Sequence, residues 1–176
     1  MYRRGLCCSV CETGAQVAVL SMNQGGEQLF AEKLSDLSRY YHSARVLCEA
    51  NTGGAGRIVI RKLLQEGVPI WRSPEGKDWV TSRGNKEQAY AFARQLTNAN
   101  AFELFDGTTI QELMHIRDRD GKIEGQDGYH DDHADAFVLA CWALRTCPGF
   151  DGRPKGSIRS RSSNRHPMER IKRATS

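Results

Sequence analysis

The sequence holds no apolar run near the roughly 20 residues needed to cross a bilayer. Its N-terminus, Met-Tyr-Arg-Arg-Gly-Leu-Cys-Cys-Ser-Val, has an apolar stretch too short and too broken for a secretory signal. The expectation is therefore a cytoplasmic protein with no membrane partner. No Gly-x-x-x-x-Gly-Lys-[Ser/Thr] occurs, and Gly53-Gly54-Ala55-Gly56-Arg57 is no substitute, so the chain lacks a phosphate-cradling loop for ATP hydrolysis. There is no internal repeat. Cys8 and Cys11 form one C-x-x-C with no second ligand pair at matching spacing, which argues against a structural zinc site. Cys48 and Cys141 fall in apolar surroundings and read as small buried hydrophobes.

What is present fits one soluble α/β domain. The 176 residues are 39% hydrophobic and 26% charged, enough for a real core. The net charge of +4 is unevenly placed: from residue 151 on, eight Lys and Arg face two acids, leaving residues 1–150 at −2. We expect a folded domain over 1–150 and a basic flexible tail over 151–176. Such a tail could meet phosphate or an acidic partner, or could simply be solvated.

The apolar run Gln16–Met22, the turn at 23–26 and the segment 27–33 predict a β-hairpin, followed by a short helix over 35–42. Residues 44–49 predict an apolar strand ending in Glu49, central to the sheet. A Gly-rich turn then leads to a helix over 58–65, and 68–71 predicts another strand. Apolar spacing predicts helices over 85–98 and 108–116, with a brief strand at 102–105 between them. Asp120-Gly121 predicts the turn of a polar hairpin over 117–124. The clearest helix spans 131–146, with a stripe of Ala134, Phe137, Val138, Cys141, Trp142 and Leu144. Trp71, Trp79 and Trp142 read as core or edge aromatics.

The start of that helix carries the chemistry. His130, Asp131, Asp132, His133 and Asp135 place five ligand-type groups within six positions. Asp131 and Asp132 stand four and three residues before Asp135, so the carboxylates share a helix face. One acid is expected to cap the helix. Capping needs only one, and close carboxylates repel unless a cation offsets them. Hard cations such as Mg²⁺ and Mn²⁺ prefer carboxylate oxygen. Glu49 closes its strand at the carboxyl edge of the sheet, where open α/β sheets place ligands. If the helix packs beside that strand, Asp132 and Glu49 converge on a candidate site for two divalent ions.

The order of these motifs resembles a known family. Cys48-Glu49-Ala50-Asn51-Thr52-Gly53-Gly54, then a helix and Gly67-Val68-Pro69, resembles the second acidic motif of phage terminase large subunits. Trp79-Val80-Thr81-Ser82-Arg83-Gly84-Asn85-Lys86 is similar to their following segment, where a Thr and a basic residue precede a helix. Ile110-Gln111-Glu112-Leu113 resembles the stretch before their final hairpin. Gly128-Tyr129-His130-Asp131-Asp132-His133-Ala134-Asp135-Ala136 resembles their third acidic motif. Order and spacing match from about Ala15 to Trp142.

The resemblance implies a ribonuclease H-like mixed sheet flanked by helices. It implies an endonuclease that cuts concatemeric double-stranded viral DNA during packaging, with two Mg²⁺ or Mn²⁺ ions. Glu49 becomes the strand acid and Asp132 the helix ligand, with Asp131 and Asp135 beside it and His130 accessory. The catalytic set is then Glu49, Asp132 and Asp135. Lys77, Arg83 and Lys86 are candidates to line a DNA groove, or else belong to a solvated charged loop. The portal protein and the small terminase subunit are the implied partners, in the host cytoplasm. The family's first motif puts an Asp on the first strand, yet no Asp precedes Asp36 here, and Leu6-Cys7-Cys8-Ser9-Val10 offers no carboxylate. The expectation is a first strand missing or degenerate, and a truncated open reading frame, a fragment from a split gene or a decayed prophage copy. Two alternatives follow: an inactive DNA-binding or assembly fragment, or a related resolvase-type nuclease.

Overall fold

A computed structural model describes residues 5–10, 14–51, 54–147, 150 and 152. Strand β1 (Gly5–Val10) pairs antiparallel with β2 (Gln16–Met22), with Gly5 opposite Met22 and an irregularity between Ser9 and Val10. The first strand is thus formed, and it is degenerate only in carrying no acid.

The predicted hairpin is corrected here. Residues 26–40 do not return as a strand but form helix α1 (Gly26–Tyr40), which absorbs the short helix expected at 35–42. The segment holds no β-branched residue and is rich in Leu, Glu, Gln, Ala and Lys, all favourable in helices. Its buried residues Ala31, Leu34, Ser35 and Ser38 recur at helical spacing. The left-handed Gly25 (φ 96°) lets the chain turn from β2 into this helix.

The segment after α1 runs extended to Glu49. Val46 bridges Ile70 and Glu49 bridges Trp79, both in parallel, as isolated pairs rather than long strands. Helix α2 (Ala55–Gln65) lies between and packs on α1 through Ala31, Leu34, Val59, Leu63 and Val68. Glu103 bridges Ala15 in parallel, so the brief strand expected at 102–105 is a single pairing at the foot of β2.

Helix α3 (Arg83–Asn98) begins two residues earlier than apolar spacing suggests. Ser82 and Asn85 cap it reciprocally: Ser82 Oγ accepts from the Asn85 backbone at 3.4 Å, and Asn85 Oδ1 accepts from the Ser82 backbone at 2.7 Å. Helix α4 (Gly107–Met114) is capped by Asp106. Strands β3 (Ile116–Arg119) and β4 (Lys122–Gly125) make the polar hairpin, with Asp120 and Gly121 both at positive φ, as a tight hairpin turn requires. Helix α5 (Asp132–Leu144) packs against α3, α4 and β1. Trp71, Trp79, Ala89, Ala93, Phe137, Val138 and Cys141 form the core between α3 and α5, and this core fixes the acidic start of α5 against α3. The basic tail expected over 151–176 lies outside the described residues, apart from Gly152.

Candidate functional site

Glu49 is exposed at the end of its extended segment and is held from the side. Asn51 Nδ2 donates to Glu49 Oε1 at 2.6 Å, while Asn51 Oδ1 accepts the Thr81 backbone N–H at 2.9 Å. Asn51 therefore ties the acid to the segment that bridges it. The amide is a two-ended clamp: one end orients the carboxylate, the other anchors to backbone.

The facing wall comes from α3 and α5. Asp135, one turn into α5, accepts from Tyr90 Oη at 2.6 Å through Oδ1 and from Lys86 Nζ at 2.8 Å through Oδ2. Lys86 also reaches Asp131 Oδ2 at 3.5 Å. Lys86 and Tyr90 are four residues apart on α3 and so present one face. Glu49, Trp79, Thr81, Lys86, Tyr90 and Asp135 line one small cavity of about 30 Å³. That is room for one or two water-sized particles.

Asp131 does not cap α5 with its side chain, and here the capping expectation is corrected. Its carboxylate turns to Lys86 instead, and the helix start is capped by Glu112 of α4, whose Oε2 accepts the backbone N–H groups of His133 and Ala134. His133 is buried, with Nδ1 3.4 Å from Asp106 Oδ2. Asp132 and His130 are exposed and stand outside the cavity lining. Lys77 lines a broader neighbouring groove, and Arg83 donates to the Asp120 carbonyl and pairs with Glu87. Sequence reasoning thus reached Glu49, Asp131, Asp135 and Lys86 but passed over Asn51, Thr81, Tyr90 and Glu112. Tyr90 was findable, since it follows Lys86 by one helical turn.

The electrostatics are under-compensated. Burial pushes the Asp135 carboxyl above its ordinary range despite Lys86 and Tyr90, and Asp131 adds to the push. Burial also opposes charge on Lys86, but Asp135 and then Asp131 outweigh it and hold the ammonium firmly protonated. Burial, reinforced by Asp135, drives the Tyr90 phenol far upward, so it remains a donor throughout the stable pH range. Glu49, Asp131 and Asp135 face one ammonium, which leaves two negative charges, the charge a divalent cation would neutralise.

The donor set is carboxylate oxygen, which suits Mg²⁺ or Mn²⁺. Among the described residues no three His, Cys, Asp or Glu side chains stand close enough to chelate an ion alone. Mg²⁺ is commonly held by one or two carboxylates with waters and substrate phosphate completing the shell. Glu49 and Asp135 fit that mode for one ion. For a second ion β1, Gly-Leu-Cys-Cys-Ser-Val, brings no carboxylate.

No protein-family model matches the chain, and no curated protein matches it. Solved structures do. The large terminase nuclease of thermophilic phage G20c with bound cobalt aligns at a TM-score of 0.63 and 23% identity, over 80% of this chain and 83% of that one. The same nuclease with bound magnesium gives 0.64 and 22%, over 80% and 83%, and a third structure of it gives 0.62 and 23%, over 79% and 83%. The fold is that of a large terminase nuclease. It is a mixed α/β, ribonuclease H-like architecture, as the order of motifs implied. At this identity the likeness speaks for the terminase nuclease fold, and the cobalt and magnesium belong to the phage G20c protein. Among the described residues no helix is long and apolar enough to cross a membrane.

Proposed function

We propose that this chain is a divalent-metal-dependent endonuclease that cuts double-stranded DNA, acting on concatemeric viral DNA during packaging. The observation that carries the reading is the shared cavity of Glu49 and Asp135, where these two carboxylates and the nearby Asp131 meet one ammonium, that of Lys86. Glu49 and Asp135 would hold one Mg²⁺ or Mn²⁺ ion; Asp131 contributes charge, and Asp132 and His130 are exposed and outside the cavity lining. When bound, such an ion activates a water molecule and stabilises the charge that builds on the phosphodiester. Asn51 fixes the direction of Glu49, and Tyr90 fixes that of Asp135. The buried Trp79 also lines the cavity.

The DNA would approach along the adjoining groove of about 820 Å³, which shares Trp79 with the cavity and carries Arg57, Lys77 and Arg145 against Glu75 and Asp78. Cations beside an acidic centre suit a polyanion whose reacting phosphate must enter a negative site. Arg83 is tied to the hairpin turn and would serve DNA indirectly by holding that turn. The basic tail over 151–176 adds phosphate contacts in this reading, and the portal protein and small terminase subunit are the partners in the host cytoplasm.

A plasmid relaxation assay tests it. The native chain with Mn²⁺ should nick supercoiled DNA, and Glu49→Gln and Asp135→Asn should each abolish nicking. Equal nicking by native and variant proteins would overturn the assignment of the site. Retarded DNA without nicking would favour a second reading, an inert DNA-binding fragment, to which the acid-free sequence of β1 points.

A further inference from the structure

The ammonium of Lys86 stands where a cation bound to Asp135 would stand. Its Nζ lies 2.8 Å from Asp135 Oδ2 and 3.5 Å from Asp131 Oδ2, and its side chain is only 21% exposed. It lines the same cavity as Glu49, and among the described residues no other Lys or Arg does. A space of about 30 Å³ does not admit a second cation against the same carboxylate oxygen without strong repulsion. The ammonium is a compact charge on a flexible four-carbon stem, free to swing from one anionic partner to another.

We propose that Lys86 is a positioning residue that neutralises Asp135 in the metal-free protein and yields it to the metal when a DNA phosphate arrives to take the ammonium. This rests on the reading that Glu49 and Asp135 hold the ion. The lysine thus couples two ligands. Metal entering alone must leave Lys86 only its longer contact to Asp131 in a half-buried site. Metal entering with DNA does not, because the backbone phosphate accepts the ammonium. By linkage, DNA tightens metal binding and metal tightens DNA binding by the same factor. The device keeps the acid pair in place while no substrate is bound, and it makes the loaded centre depend on DNA.

Mn²⁺ binding followed by electron paramagnetic resonance of the free ion tests this without any turnover. The full chain is titrated with Mn²⁺, with and without a short duplex carrying phosphorothioate linkages that resist cutting. The native protein should bind Mn²⁺ about tenfold more tightly with duplex, within the usual span of coupled sites. Lys86→Gln should bind Mn²⁺ about tenfold more tightly than native without duplex, and gain little on adding it. Lys86→Arg should restore the native pattern. Native binding that ignores the duplex overturns the proposal, and that measurement needs no variant. Weaker or unchanged Mn²⁺ binding by a folded Lys86→Gln overturns it too, since removing a mere structural prop would loosen the acids. If neither the native chain nor Lys86→Gln binds Mn²⁺ under any condition, the metal reading itself fails and the coupling falls with it. If native and Lys86→Gln bind equally while Glu49→Gln and Asp135→Asn do not, the metal reading stands and only the coupling fails.

Discussion

Glu112 Oε2 accepts the backbone N–H of His133 at 2.7 Å. The same oxygen accepts from Ala134 at 3.1 Å, so an acid of α4 caps α5 across a chain separation of about twenty residues. Glu112 is 7% exposed, which makes these charge-assisted bonds the counterpart of its buried carboxylate. The arrangement releases Asp131 from capping and leaves it to Lys86.

Removing the cap should therefore cost stability and also loosen the site. Glu112→Ala leaves two buried backbone donors unsatisfied and should lose about 3 kcal/mol, the range of bonds to charged groups. Glu112→Gln keeps an acceptor and should lose roughly half of that. Urea unfolding of the native chain and both variants gives the comparison. A Glu112→Ala chain within about 0.5 kcal/mol of native, the scatter of ordinary surface changes, would remove the cap from the account.

Tyr90 supports Asp135 in a similar way, from outside the set of proposed metal ligands. With its phenol driven upward first by burial and then by Asp135, it donates at every pH of interest. Tyr90→Phe deletes one hydrogen bond and nothing else of size. Groups that orient a metal-binding carboxylate typically matter 10- to 100-fold, so nicking in Mn²⁺ should fall at least about tenfold. The fold should tolerate the change with a loss of about 1–3 kcal/mol. Activity and melting temperature measured on the same preparation separate the two effects.

Much of this was legible in the residues, and the gaps have physical causes. Apolar spacing marked α3 and α5, and Asp120-Gly121 marked the β3–β4 turn, because local periodicity and turn chemistry decide those elements. The segment 27–33 misled because a Gly-rich turn after β2 imitates a hairpin, while the absence of β-branched residues up to Tyr40 pointed to a helix. The acids of α5 stood out as a cluster, but which one enters the cavity depends on the rotation of α5 against α3, and the core at Ala89, Ala93, Phe137 and Val138 sets that rotation. Asn51 and Glu112 act on partners distant in the chain or through backbone atoms, and no periodicity announces such contacts.

The pH dependence of stability should carry a signature of Asp106. Burial works against its charge, but the Thr109 hydroxyl and backbone, followed by His133, outweigh that and hold its carboxyl below the ordinary value of 3.8. A depressed carboxyl stabilises the fold fully above its unfolded value and loses that contribution as pH falls through the folded one. The native chain should thus lose stability below about pH 4 more steeply than Asp106→Asn, whose side chain does not titrate. Chemical unfolding at a series of pH values from neutral to about pH 3 resolves the slope. Parallel acid limbs for the two proteins would dismiss the contribution.

Gly56 sets how closely α2 approaches the site. A Cβ there would lie 1.8 Å from the carbonyl oxygen of Glu49 and 3.6 Å from Ala50 Cα. The obstacle is backbone, which cannot swing aside as a side chain can, so the start of α2 must retreat or the Glu49 segment must move. Gly56→Ala should lose about 1–3 kcal/mol, the usual cost of overpacking. It should also depress Mn²⁺-dependent nicking, because Glu49 shifts relative to Asp135. Gly84 is the matched control: it too lies in the first turn of a helix, with nothing within 4 Å of an added Cβ. There the better helix propensity of alanine should show alone, as a gain of up to about 1 kcal/mol with nicking unchanged. Opposite signs for the two Gly→Ala changes in urea unfolding identify contact with the Glu49 backbone as the cause. Equal stability gains would mean that α2 does not press on Glu49, and the glycine would then have no part in placing the acid.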